Sequence, residues 1–172
     1  MPNKVTLNLP ADLWTAQDTA VLAANTLASI KLRTSRGISS TGAKFKKYSR
    51  RPLYVSKRGA RLKPKGGRPS RTGRSIFYAG GYRQYKEESR KHNSKKGHSA
   101  LVDLVLSGQL MNNLVVTEAR RNRFKIGLTK HVQHYGYDVH AIRPYIGLTP
   151  KDVQVIVNAV SIDITNKIRR GK

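Results

Sequence analysis

Between Gly42 and Arg74 the chain carries thirteen lysines and arginines and no carboxylate. Repulsion among so many like charges opposes a compact state, so the stretch calls for a polyanionic or acidic partner. The imbalance is regional. From Lys31 to Lys96 there are 22 basic residues against Glu87 and Glu88, so +20 of the formal net charge of +25 sits in 66 residues. Gly37, Gly42, Gly59, Gly66, Gly67 and Gly73, with Pro52, Pro64 and Pro69, interrupt residues 30–75, and no apolar period survives there for more than a few residues. The composition predicts a long basic arm over about residues 31–98, with short strands near Phe45–Tyr48 and Leu53–Val55. Such a segment buries too little apolar surface to offset its chain entropy.

The flanks read differently. Pro10 suits a first helical position and Asp12 suits the positive end of a helix dipole. Leu13, Gln17, Ala20, Val21, Ala24, Leu27 and Ala28 follow at helical spacing, which predicts an amphipathic helix over residues 10–29 with Trp14 on its core face. Leu101–Leu106 forms an apolar run suited to a buried strand, and Ser107 is placed to cap a short helical turn, Gln109–Asn113. Leu114–Ala119 and Arg123–Thr129 predict a hairpin that puts Phe124, Ile126 and Leu128 on one face. Gly136 and Gly147 break the next segment, and Pro144 argues against helix there. Thr149-Pro150-Lys151-Asp152 then signals a helix start, and Val153, Ile156, Val157, Val160, Ile164 and Ile168 form the stripe of a closing helix over about 150–169. The expected architecture is one α+β domain: a small antiparallel sheet and hairpin over about 100–130, amphipathic helices at both ends, and the long basic arm.

Motifs for chemistry are scarce. Without cysteine there is neither a disulfide framework nor a thiolate zinc site. The N-terminus lacks the apolar core of a signal peptide, and the Ala-rich run after it is too polar to span a bilayer, so an intracellular protein with no membrane partner is expected. Gly67–Ser75 resembles a phosphate-binding loop only loosely: its spacing is one residue too long, and Arg74 stands where a lysine must reach the phosphates. His131, His134 and His140 gather near Asp138, but with no glutamate close by to act as a base, structural histidines are the better reading. No enzyme activity and no cofactor are expected. Phe77, Tyr78, Tyr82 and Tyr85 lie among cations, a pattern shared by base-stacking platforms and tyrosine-rich protein interfaces.

Several motifs in order carry a family likeness. Ile30-x-x-Arg33-Thr34-x-x-Gly37 and Gly42-x-x-Phe45-x-x-Tyr48-Ser49 come first. Gly81-Tyr82-x-x-Tyr85-Lys86 and Val102-Asp103-Leu104-x-Leu106-Ser107-Gly108-x-Leu110-Met111 follow, then Arg123-Phe-Lys-Ile-Gly127-Leu and Arg143-Pro144-Tyr145-Ile146-Gly147-Leu148-Thr149. The series, spanning roughly residues 20–160, resembles the neck and tail-completion proteins of tailed bacteriophages, the virion morphogenesis family. The chain departs from it in the excess of Lys, Arg and Gly between Tyr48 and Ser75.

The resemblance implies a structural virion protein, made in the bacterial cytoplasm and placed at the neck. There it forms a six- or twelve-fold ring that joins portal or neighbouring neck and tail proteins around the channel for genomic double-stranded DNA. Arg143, Pro144, Tyr145, Gly147, Thr149 and Pro150 are then a structural turn and cap. Lys44, Lys46, Lys47, Arg50, Arg51, Lys57, Arg58, Arg61, Lys63, Lys65, Arg68, Arg71 and Arg74 are the candidate contacts to DNA or to an acidic partner. About six contacted phosphates would make log K fall by roughly five per decade of salt, which slows DNA release and tilts the balance slightly toward protein docking. The alternative function is a non-enzymatic nucleic-acid-binding protein of ribosomal or RNA-chaperone type.

Overall fold

A computed structural model describes residues 3–6, 13–60, 62–90 and 102–170. In chain order the elements are β1 (Asn3–Thr6), α1 (Ala16–Ser35), β2 (Leu53–Ser56), β3 (Arg68–Pro69), β4 (Ser75–Tyr78), α2 (Gly81–Arg90), α3 (Gln109–Asn112), β5 (Leu114–Arg120), β6 (Arg123–Leu128), α4 (Lys130–Ile142) and α5 (Pro150–Arg169). The α+β class holds, with two three-stranded antiparallel sheets in place of one. The chain divides into two compact units: Met1–Phe45 with Leu110–Lys172, and Lys46–Gln109.

In unit 1 the β5–β6 hairpin forms as expected, and β1 adds to the free edge of β6. Phe124, Ile126 and Leu128 are buried, and α1 packs across both hairpin strands. The start of α1 differs from expectation. Residues 10–12 lie outside the described residues, and the helix begins at a capping box, with Thr15 as N-cap and Asp18 three residues on. The Thr15 N–H donates to the Asp18 carboxylate at 2.8 Å, and the Asp18 N–H donates to Thr15 Oγ1 at 3.2 Å. Its buried face is also rotated from the predicted stripe. Thr19, Leu22, Ala23, Thr26, Ile30, Arg33 and Thr34 point inward, while Gln17, Val21, Ala24 and Ala28 are exposed. Threonines can take the core face because their hydroxyls find partners: Thr26 donates to the Leu22 carbonyl at 2.7 Å, and Thr19 bonds the Arg121 carbonyl and the Trp14 indole N–H. Trp14 is buried, on the core side as expected.

The closing helix α5 starts at Thr149 with the predicted cap, Pro150 at the first turn and Asp152 completing a second capping box. It runs antiparallel to α1 and is tied to it at both ends. Arg33, in the last turn of α1, pairs with Asp152; Lys167, in the last turn of α5, pairs with Asp18 at 2.6 Å. Each capping carboxylate thus also receives a cation from the far end of the other helix. Burial alone would raise both carboxyls. The Lys167 and Thr15 bonds hold Asp18 below its ordinary value, and the Thr149 bonds with the Arg33 charge do so for Asp152.

Unit 2 contains most of the predicted arm, and its described residues are folded; residues 91–98 of the arm lie outside the described residues. Sheet β2–β4–β3 and helix α2 enclose a core of Ile76, Tyr78 and Tyr85, with Val55, Leu62, Tyr82 and Leu106 packed against it. Tyrosine supplies the apolar area that aliphatic residues do not. The Tyr78 hydroxyl donates to the Lys65 carbonyl and the Tyr85 hydroxyl to the Leu62 carbonyl, both at 2.7 Å, which fastens the coil over the core. Burial pushes the Tyr85 hydroxyl up to about 12. At Gly81 the backbone is left-handed (φ 69°), and a Cβ would stand 2.5 Å from the Arg51 carbonyl oxygen, so α2 starts on a glycine.

Three further expectations fail. Leu101 lies outside the described residues, and 102–106 is irregular rather than strand. The Asp103 carboxylate accepts the Val105 N–H at 3.0 Å and turns the chain there, with Leu104 left-handed (φ 55°). Gly136 does not break a helix but lies inside α4, where a Cβ would stand 2.2 Å from Leu128 Cδ1. No strand forms at Phe45–Tyr48 either.

The Arg33–Asp152 pair is the more buried of the two ties, with side chains 9% and 12% exposed against 23% and 24% for Lys167 and Asp18. Arg33→Met should therefore lower the unfolding free energy of unit 1 by about 3 kcal/mol, because it leaves a buried carboxylate short of its cation. Lys167→Met should cost under about 1 kcal/mol. Urea unfolding followed by the single tryptophan, Trp14, measures both; equal losses would contradict the ranking.

Candidate functional site

The predicted contact residues spread over both units. Lys44 lies in unit 1, where its backbone bridges Ile38. Arg61 falls outside the described residues. Lys46 and Lys47 open unit 2 with exposed side chains, and Arg50 and Arg51, also exposed, precede β2. Lys63 and Lys65 lie on the coil between β2 and β3, with the Lys65 N–H held by the Ser89 hydroxyl at 3.2 Å. Arg68 is on β3, opposite Phe77. Lys57 and Arg58 follow β2, while Arg71 and Arg74 belong to the β3–β4 turn. The Lys57 N–H donates to the Arg74 carbonyl at 3.0 Å, so these two turns meet at one end of the sheet. The loop that resembled a phosphate cradle is this hairpin, closed by the Gly73 N–H on the Ser70 carbonyl at 2.8 Å.

Two of the carboxylates of unit 2, Asp103 and Glu88, are engaged elsewhere. Asp103 takes the buried ammonium of Lys86 and, at 2.9 Å, the guanidinium of Arg90. Those bonds and the Val105 N–H outweigh burial and hold its carboxyl below the ordinary range. Glu88 accepts the Gly67 N–H at 2.7 Å and the Gln84 amide at 2.9 Å. A shallow cleft of about 210 Å³ is lined by Arg50, Gly80, Arg83, Gln84 and Glu87. Among the described residues no ion pair involves Arg50, Arg51, Lys57, Arg58, Lys63, Lys65, Arg68, Arg71 or Arg74. Their charge is displayed on the surface of a folded unit.

The aromatic cluster splits. Tyr78 and Tyr85 are buried and Tyr82 is half-buried against them, so these rings are core. Phe77 turns to the other face, where Tyr54 meets it with ring centroids 4.9 Å apart. Tyr54 was not among the predicted site residues. Strand alternation at Leu53-Tyr54-Val55 is the signal that finds it, since Val55 packs against the core and Tyr54 faces away.

Helices α1 and α5 present a second feature. Of the predicted α5 stripe, only Ile156 and Val160 are buried. Val153, Val157 and Ile168 on that stripe, and Val155 and Ile162 on the opposite side, are 46–62% exposed. On α1, Val21 and Leu32 are likewise exposed.

The Arg143–Pro150 segment is built into unit 1. Arg33 Nη2 donates to the carbonyls of Tyr145 (3.1 Å) and Gly147 (2.8 Å), and the Pro144 carbonyl accepts the Ser40 N–H at 2.8 Å. Tyr145 is fully buried with its hydroxyl on the Gly136 carbonyl at 3.1 Å, and burial raises its pKa. His140 Nδ1 accepts the N–H groups of Tyr145 and Ile146 at 3.2 and 3.3 Å, which requires a neutral ring. His131 instead meets the Thr129 hydroxyl, His134 packs edge-on to Tyr135, and among the described residues no three His, Asp or Glu side chains gather as a metal site would need.

Burial lowers the His140 pKa below its ordinary 6.5. The unfolded chain then binds a proton more readily than the folded one, so this contribution to stability is complete above the unfolded value and is lost as pH falls through the folded one. Unit 1 should therefore lose stability as the pH falls below the ordinary histidine value of 6.5. His140→Asn, which keeps an acceptor but does not titrate, should flatten that slope in Trp14-monitored urea titrations. An unchanged slope would contradict the assignment.

No protein-family model matches the chain, and neither does any curated protein or any solved structure.

Proposed function

We propose that the chain is a structural protein of a tailed-bacteriophage neck, which assembles with copies of itself into a ring joining portal and tail around the DNA channel. The observation that carries this reading is the apolar surface left on α5. Closed rings use heterologous contacts, in which two different patches of one subunit meet. A helix with Val153, Val157 and Ile168 exposed on one side and Val155 and Ile162 on the other offers two such patches. Val21 and Leu32 of α1 are exposed apolar side chains of the same unit.

The ordered motifs support it further. Arg33 of the first motif bonds the carbonyls of Tyr145 and Gly147 in the last, and Lys86 of the middle motif bonds Tyr48 (3.0 Å) and Asp103 of its neighbours. These residues thus form part of the framework of each unit, as suits a protein whose role is architectural. The surface cations of unit 2 suit phosphates in the channel or an acidic neighbour at the neck. No helix among the described residues is long and apolar enough to cross a membrane. A simple nucleic-acid binder of ribosomal type accounts for the charge but leaves the apolar faces of α5 without a use.

Negative-stain imaging and sedimentation of protein freed of nucleic acid in high salt test this reading. Closed rings are expected, and Val157→Asp with Ile162→Asp should give monomers whose Trp14 emission is unchanged. A wild-type protein that stays monomeric at high concentration and with its portal favours the nucleic-acid binder.

A further inference from the structure

The outer face of the β2–β4–β3 sheet combines three features that point to one ligand. The first is a cross-strand row. Tyr54 on β2 and Arg68 on β3 both pair with Phe77 on the central strand, so ring, ring and guanidinium lie side by side, away from the Ile76–Tyr78 core. Tyr54 is 65% exposed, so its ring is open to a ligand on this face. The second is the next row on that face, Ser56, Ser75 and Ser70, followed by the turns that carry Lys57, Arg58, Arg71 and Arg74. The third is sign: no Asp or Glu occurs between Asp18 and Glu87, so every charged side chain on these strands and turns is positive.

We propose that this face binds single-stranded nucleic acid, with Tyr54 and Phe77 stacking on bases, Arg68 beside them, and the turn cations on the phosphates. Flat rings on an open sheet can meet bases only where those bases are unstacked, which excludes a duplex interior. Three strands span roughly 10 Å, room for about two bases on the rings. An acidic protein would use the cations but gain nothing specific from the ring row. The site lies wholly within unit 2 and needs no ring of subunits, so it stands or falls separately from the neck reading.

The test is fluorescence anisotropy of a labelled oligothymidylate of ~10 nucleotides, a duplex of equal length and a polyglutamate peptide, each titrated with the full chain over a range of salt. Tyr54→Ala should weaken single-strand binding by roughly 5- to 100-fold with an unchanged salt slope, and Tyr54→Phe should restore it. Arg71→Gln with Arg74→Gln should instead flatten the slope, by about 0.7 for each phosphate no longer neutralised. Circular dichroism checks that each variant is folded; Tyr54, being exposed, is the safer site than Phe77. Equal single-strand affinity for wild type and folded Tyr54→Ala overturns the proposal. So does tighter binding of duplex or polyglutamate than of oligothymidylate, or no binding to oligothymidylate at low salt.

Discussion

Unit 1 depends on the double use of two aspartates. Asp18 and Asp152 each complete the capping box of their own helix, and each takes a cation from the last turn of the other. A carboxylate at a helix N-terminus and a cation at a C-terminus are both favoured by the helix dipole, so the antiparallel pairing of α1 and α5 places all four groups well at once. Arg33 extends the same network into the Arg143–Thr149 turn through two carbonyls. The turn is thereby held against α1, and Tyr145 is held in the core beneath α4. One buried guanidinium therefore links the first helix, the turn and the start of the last helix.

Unit 2 handles a different constraint, a large positive charge on few residues. Its answer is to separate the roles of its side chains. Tyr78 and Tyr85 build the core and hold the coil by their hydroxyls, while Lys86 is neutralised inside by Asp103 and stacks 4.4 Å from the Tyr48 ring centre. Lys57, Arg58, Arg71 and Arg74 stay exposed on the turns, where water and salt screen their repulsion. A core of a few tyrosines is small, so ligand binding to the charged face would add to the stability of this unit.

What the sequence reveals follows from how local each signal is. The Thr149–Asp152 cap and the β5–β6 hairpin depend on neighbours a few residues apart and are legible. The equivalent box at Thr15–Asp18 carries the same signal, but Pro10 and Asp12 draw attention upstream. A count of apolar residues misplaces the α1 face because it cannot see that Thr19, Thr26 and Arg33 have hydrogen-bond partners, some of them far along the chain. Residues 31–98 read as an arm because the few residues that build the core of unit 2, Ile76, Tyr78 and Tyr85, are scattered among its many cations. At the candidate site the basic residues are visible from composition alone. The exposed Tyr54 emerges only once strand register fixes which way each ring points.

The basic segment is a folded surface rather than an arm, and amide hydrogen exchange on the full chain tests this most directly. Slow exchange is predicted for ladder amides within Leu53–Ser56 and Ser75–Tyr78 and for the interior of Gly81–Arg90, set against rapid exchange at Arg71 and Thr72 at the turn tip. Exchange across residues 50–80 at the rate of an unstructured peptide would contradict the account.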